Sequence, residues 1–170
     1  MTFSALDRSE VAMVVRAVNF SERAGLDRVA RVVTRLGNGT LYPVVAALLV
    51  LTRVAPPRFL FAAALSMLVA LTVHSRLKSL LRRARPCDYD PSLRRDVLPL
   101  DRYSCPSGHT MTAVAFAISL AGAAPVTLPL AALMCLLMGW SRVALGHHYV
   151  SDVLMGAVLG ALVAAPIAAV

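Results

Sequence analysis

The last 68 residues of the chain hold only two formal charges, Arg142 and Asp152, and this scarcity constrains the fold more than any other feature. A soluble protein of 170 residues cannot cover itself with such a sequence, because too little polar surface is left to face water. The same character recurs upstream. Residues 39–52 and 59–75 are uncharged, and Pro56-Pro57, between Arg53 and Arg58, marks a turn between them. No residue from Tyr103 to Ser141 is formally charged, and Gly122 to Pro125 breaks that run into two helices and a hairpin. Residues 153–170 are again uncharged.

The pattern predicts an all-α fold, a polytopic transmembrane helical bundle with about five spans. Several runs hold about 16 residues, roughly 24 Å of helix, below the ~20 residues usual for a span. No strand pattern or internal repeat stands out, and the length suits a single domain. Residues 1–38 differ from the rest. Leu26, Val29, Val33 and Leu36 share one helical face, and Arg28, Arg31 and Arg35 share another. That pattern suits an amphipathic segment in the membrane interface, or a solvated helix packed on the bundle. The expected organisation is an N-terminal interfacial region over 1–38 and a helical bundle carrying the chemistry over 39–170. Asp7, Arg8 and Glu10 precede the first short apolar stretch, so no cleaved signal is read there.

The net charge of +8 fits nucleic acid, an anionic membrane surface or a phosphate substrate. Aromatic residues make up 6% and interleave with no basic stretch, so nucleic acid is not an expected partner. Of the 17 basic residues only Lys78 is lysine. Arginine offers a planar fork that matches phosphate oxygens.

Ionisable groups inside a membrane domain are costly and are functional candidates by default. Here they fall into three clusters: Lys78 to Pro86, Pro106 to His109, and Ser141 to Asp152. All four histidines, His74, His109, His147 and His148, lie near predicted span ends. Alternating the spans across the bilayer puts all three clusters on one side. Phosphoryl transfer needs charge neutralisation, an in-line nucleophile and a proton for the leaving oxygen. Lys78, Arg85 and Arg142 can supply positive charge. Ser107 and the backbone N–H groups of Ser107 and Gly108 open a helix, where orphan donors favour anions. His148 and Asp152 are four apart, so a helix beginning there would stack them. A carboxylate on one ring nitrogen leaves the other able to attack phosphorus. His109 is the remaining imidazole suited to protonate the leaving alkoxide and then to activate water.

Hard cations want several oxygen ligands, and Asp152 is the only acid in the last 68 residues, so no metal or other cofactor is expected. The loop acids Asp88, Asp90, Asp96 and Asp101 are read as solvating the loop or pairing with its arginines. Arg82 and Arg83 are read as headgroup-facing members of a juxtamembrane basic run. His74 and His147 read as neutral interfacial groups, with His147 a candidate wall of the site. Trp140 and Tyr149 read as interface anchors. Cys87 follows the first cluster and Cys105 precedes the second. A bridge would tether two halves of the site, while two separate thiols is the plainer reading.

The patterns Lys-x6-Arg-Pro, Pro-Ser-Gly-His and Ser-Arg-x5-His-x3-Asp resemble the three signature motifs of the type 2 phosphatidic acid phosphatase superfamily, which includes lipid phosphatases and vanadium haloperoxidase-like proteins. Every specified position is filled, from Lys78, Arg85 and Pro86, through Pro106, Ser107, Gly108 and His109, to Ser141, Arg142, His148 and Asp152. The resemblance covers about residues 39–170. It implies a helical bundle, a phosphohistidine at His148, His109 as acid and base, and a lipid phosphate partner. Phosphatidate, phosphatidylglycerophosphate, polyprenyl diphosphate and lipid A phosphates are the substrates it implies. Many members resemble six-span proteins, one more than counted here. A phosphotransferase using the same intermediate and a non-enzymatic anionic-lipid scaffold are the rival readings. The apolar spans argue against a soluble vanadate-dependent oxidase. Positive-inside counting puts the arginine-rich side in the cytoplasm, but substrate-binding cations weaken that count. The resemblance favours the outer, periplasmic face of a bacterial inner membrane, and that is the expectation carried forward.

Overall fold

The computed structural model describes residues 5–93, 97 and 99–169; the loop acid Asp96 lies outside them. The described residues form helices α1 (Ala5–Arg23), α2 (Asp27–Leu36), α3 (Leu41–Leu51), α4 (Arg58–Leu81), α5 (Pro86–Tyr89), α6 (Gly108–Ala123), α7 (Leu128–Ala144) and α8 (Val150–Ala168). Every uncharged run is helical, the long one from Tyr103 to Ser141 holding α6 and α7, so the all-α membrane bundle stands. Three stretches, Arg58–Tyr89, Pro125–Ala144 and Val150–Ala168, are long and apolar enough to cross a bilayer. α2 and α3 pass that test together with a 72° bend between them, and α6 is a shorter apolar helix. The 11 residues of α3 rise only about 16 Å, too little to cross alone. The bend falls at Gly37-Asn38-Gly39, where Gly39 takes φ +125.

α4 outruns the apolar stretch that predicts it. Residues 76–81, beyond the uncharged run, continue the helix, so Lys78 sits in its last turn. The helix stops at Arg82, which turns left-handed with φ 48. At the other end of the site, α8 presses on α6 through Gly156 and Gly160. A Cβ on Gly156 would lie 2.6 Å from the carbonyl oxygen of Ser107, and one on Gly160 2.5 Å from that of Met111. Small residues four apart let helix backbones touch where lipid gives no hydrophobic drive to association. Phe116 of α6 completes the packing, its ring 5.3 Å from Tyr42 of α3 and 5.5 Å from Phe59 of α4.

α2 packs on the bundle through buried Ala30 and Thr34 and half-buried Val33, while Val29, Val32 and Leu36 are exposed.

Candidate active site

The three clusters converge. Lys78 in the last turn of α4, Arg85 beyond it, Gly108 and His109 at the start of α6, Arg142 near the end of α7 and His148 before α8 all line one cavity of about 170 Å³. Gly37, Asn38, Tyr42, His74, Asp101 and Thr112 are among its other walls. Arg142 is 2% exposed. One guanidinium nitrogen donates to Thr34 Oγ1 at 3.3 Å, and among the described residues its Nε–H meets no acceptor. Buried charge without a full set of partners is costly, so such a group marks a seat for an anion.

Asp101 is the one carboxylate on the cavity wall among the described residues. Lys78 Nζ donates to both its oxygens, at 2.8 and 2.6 Å, and Arg85 Nη2 donates to Oδ1 at 2.6 Å. Burial pushes the Asp101 carboxyl up, but the Lys78 and Arg85 contacts outweigh it and hold the group below the usual carboxylate range. Asp101 therefore leaves the loop-solvating role read for it and joins the site. Three cations against one carboxylate leave the cavity wall net positive.

His148 sits in the turn between α7 and α8. Its backbone N–H and that of His147 both return to the carbonyl of Arg142, at 3.2 and 3.1 Å. Gly146 makes the reversal, with φ +69 and the Leu93 backbone only 3.0 Å from where a Cβ would stand. His148 Nε2 lies 3.3 Å from Arg85 Nη1, and its Nδ1 lies 3.6 Å from Asp152 Oδ2. Arginine can only donate, so Nε2 carries the lone pair and Nδ1 the proton, facing the carboxylate. Burial first, then the charges of Arg142, Arg85 and Lys78, lower the pKa of His148 well below the ordinary value. The ring is therefore neutral at neutral pH. Residue 148 precedes α8, so the expected stacking on one helical face is replaced by a turn that brings the two groups near. At 3.6 Å they are close but not yet hydrogen-bonded.

His109 donates from Nε2 to Asn38 Oδ1 at 2.7 Å, a partner from the bend between α2 and α3. That bend approaches closely only because residue 37 is glycine. A Cβ there would meet Met138 Cε at 2.4 Å and His109 Cδ2 at 3.0 Å.

Several expectations change. Ser107 does not reach the cavity: its N–H donates to the Asp152 carbonyl at 3.0 Å and its hydroxyl pairs with Thr110 Oγ1 at 3.0 Å. Packing of α8 on the start of α6 takes that backbone donor away from the site. His74 does line the cavity, against Gly108, whereas His147 turns away and donates to the Val97 carbonyl at 2.7 Å. Burial and then Arg142 lower the His147 pKa to about 3. Tyr149 is buried beneath Arg83, whose guanidinium stands 4.0 Å over the ring, so it is no interface anchor. Arg83 is no headgroup cation either, since it pairs with Glu10 and Asp152. No disulfide joins Cys87 and Cys105 among the described residues. Cys105 Sγ faces Met155 Sδ at 3.4 Å, and burial pushes its thiol up to about 12. Glu10, Asn38 and Thr34 were missed because they precede the motifs. The one available signal for Asn38 was its place between two glycines.

Bilayer-length helices around a cationic, histidine-bearing cavity define a membrane protein built to receive an anionic group. A family model described as the PAP2 superfamily matches residues 59–170. The decaprenylphosphoryl-5-phosphoribose phosphatase of Mycobacterium tuberculosis is 34% identical over 163 residues, spanning 93% of this chain and 88% of the relative. The crystal structure of a transmembrane PAP2-type phosphatidylglycerolphosphate phosphatase from Bacillus subtilis matches with a TM-score of 0.74 at 26% identity, covering 97% of this chain and 85% of that one. That of Aquifex aeolicus LpxE matches in fold, with a TM-score of 0.70 at 24% identity over 85% of this chain and 86% of that one. The chain belongs to the PAP2 superfamily and is an integral membrane lipid phosphatase of that type. The scaffold reading falls with that assignment.

Proposed function

We propose that the chain releases phosphate from a lipid phosphomonoester or diphosphate through a phosphohistidine at His148, without a metal. The observation that carries this is the buried, under-partnered Arg142 beside Lys78 and Arg85, in a cavity that also holds the lone pair of His148 Nε2. Lys78, Arg85, Arg142 and the Gly108 backbone bind the non-bridging oxygens. His148 Nε2 attacks phosphorus, the bond to the leaving oxygen breaks, and His109 gives that oxygen a proton. Asp152 closes on Nδ1–H and stabilises the ring as it becomes positive. Water, deprotonated by His109, then attacks phosphorus, the N–P bond breaks and His148 is regenerated. With Nε2 of His109 committed to Asn38, Nδ1 is the nitrogen left to carry the proton.

A lipid substrate is favoured by a second cavity. Tyr42, Met67 and Leu71 line the cationic pocket and also an apolar groove of about 380 Å³ walled by Pro43, Ala46, Leu60, Leu68 and Phe116. A phosphate among the cations thus leaves its tail a path between α3 and α4 into the bilayer. The Mycobacterium tuberculosis relative makes a polyprenyl-linked sugar phosphate the first substrate to try, ahead of phosphatidate, phosphatidylglycerophosphate, polyprenyl diphosphate and lipid A phosphates.

The domain reading is one unit, with residues 1–38 contributing to the bundle's interface and 39–170 carrying the chemistry. The membrane reading is a bacterial inner membrane with the cavity on the periplasmic face. Because α8 starts at the cavity and runs away from it, a C-terminal reporter should then be active in the cytoplasm only.

The test is phosphate release from that substrate panel by purified protein in EDTA, without any acceptor alcohol. Wild type should turn over at least one member, and His148→Ala should lose on the order of 10⁴-fold in rate. Undiminished release by His148→Ala removes the nucleophile assignment. Release that needs an added alcohol favours the transferase.

A further inference from the structure

We propose that Glu10 and Arg83 are positioning residues for the reaction, holding Asp152 against His148, and that α1 is thereby a working part of the active site. This rests on the reading of His148 as nucleophile. Asp152 is 0% exposed, with Glu10 buried and Arg83 half-buried beside it. A carboxylate so deeply buried needs a charge partner, and here the partner comes from neither of the neighbouring motif histidines.

The geometry forms a closed chain of bonds. Arg83 Nη1 donates to Asp152 Oδ1 at 2.7 Å and to Ser151 Oγ at 2.7 Å. Arg83 Nη2 donates to Glu10 Oε2 at 2.6 Å. Glu10 also accepts from the Ser151 backbone at 2.9 Å and from the Ser151 hydroxyl at 2.7 Å. The Tyr149 backbone N–H donates to Asp152 Oδ2 at 2.9 Å. Oδ1 is thus fixed by Arg83 and Oδ2 by the start of α8. The remaining lone pair of Oδ2 is the one left for His148 Nδ1, 3.6 Å away. Only a forked guanidinium can bridge two carboxylates and a hydroxyl in one plane; an ammonium cannot. Two carboxylates and one guanidinium leave one net negative charge beside a ring that turns positive on attack. The family model begins at residue 59, so Glu10 lies outside the stretch it describes.

The experiment compares full-length wild type, Glu10→Gln, Arg83→Gln and Arg83→Lys in lipid nanodiscs, with dioctanoyl phosphatidate as substrate and inorganic phosphate as competitive inhibitor. Rates are normalised to folded protein. Glu10→Gln should lower kcat about tenfold and Arg83→Gln about a hundredfold, as for other groups that orient a reacting histidine, with KM and the phosphate Ki unchanged. Arg83→Lys should recover only part of kcat. Because Arg83→Gln strands two buried carboxylates and can fail to fold, Glu10→Gln, which keeps the Arg83–Asp152 pair, carries the test. Wild-type kcat in folded Glu10→Gln, or a rise in KM and Ki in place of the fall in kcat, overturns the proposal. A readout without turnover separates this from the nucleophile reading. The ¹⁵N imidazole shift of His148 at Nδ1, assigned by its loss in His148→Asn, should move in Glu10→Gln. If it stays put, the clamp is refuted whatever the substrate proves to be.

Discussion

Two charge clusters lie on opposite sides of the His148 ring, and they are built to opposite rules. Toward the cavity stand Lys78, Arg85 and Arg142 with Asp101 as their one carboxylate among the described residues, where the Arg142 Nε–H also meets no acceptor. Toward α1 stand Glu10, Arg83 and Asp152, joined by bonds of 2.6 and 2.7 Å. The first cluster is short of negative charge and open to a ligand. The second is closed and offers nothing to one. The contrast separates a place that binds from a place that holds, although both use arginine and carboxylate.

The comparison can be broken most sharply by deleting one arginine from each side. Arg142→Met should cost kcat/KM about 10²–10³-fold, the usual loss for one donor to a developing anion. An enzyme assay at low substrate checks this. The same pair should then differ in the sign of their effect on stability. Arg83→Met strands two buried carboxylates and should destabilise by about 3–5 kcal/mol, whereas Arg142→Met removes an unsatisfied buried cation and should leave the ligand-free protein as stable or more so. Thermal melts in detergent decide it, and a destabilised Arg142→Met would show that its charge is balanced after all. Inorganic phosphate at a hundred times its Kd should stabilise wild type by about 2.7 kcal/mol and leave Arg142→Met nearly unmoved.

Acid gives a gentler probe. His148 and His147 are both held neutral by burial and by neighbouring cations, with folded pKa values below that of the unfolded chain. Above the unfolded value of about 6.5 they contribute no pH dependence. Below it the unfolded state takes up protons that the folded state refuses, so stability should fall as pH drops toward the folded values. Bound phosphate should flatten that slope by favouring the charged rings, and His148→Asn should reduce it. Activity should depend on the protonation of both His109 and His148, with the acid limb set by His148 lying below the ordinary histidine range. The smallest effect is expected for Asp101→Asn, which should lower KM a few-fold by removing an anion that competes for Lys78 and Arg85. A higher KM would instead make Asp101 the group that aims those two cations.

Helices α3, α4, α6, α7 and α8 were legible because uncharged stretches bounded by turn or charged residues hold most of each. The 72° bend between α2 and α3 was not, since nothing in Gly37-Asn38-Gly39 fixes an angle before the flanking helices pack. In the site, motif spacing located Lys78, Arg85, Gly108, His109, Arg142, His148 and Asp152, because each motif is a local stretch whose spacing survives folding. It placed Ser107 in the cavity wrongly, since the partner of its N–H lies in α8. Arg83 and Arg85 are two residues apart and alike in local sequence, yet one meets Glu10 and the other Asp101. Only tertiary packing distinguishes them, and no periodicity records it.

The backbone contact of α8 with α6 has a consequence for how a lipid gets in. With Gly156 set against the Ser107 carbonyl, α8 and α6, which carry Asp152 and His109, are held in register and cannot slide along one another without a steric clash. The seam of α6 with α8 is therefore closed to a lipid tail. The apolar groove between α3 and α4, walled by side chains such as Leu60, Met67 and Leu68, offers one an entrance instead.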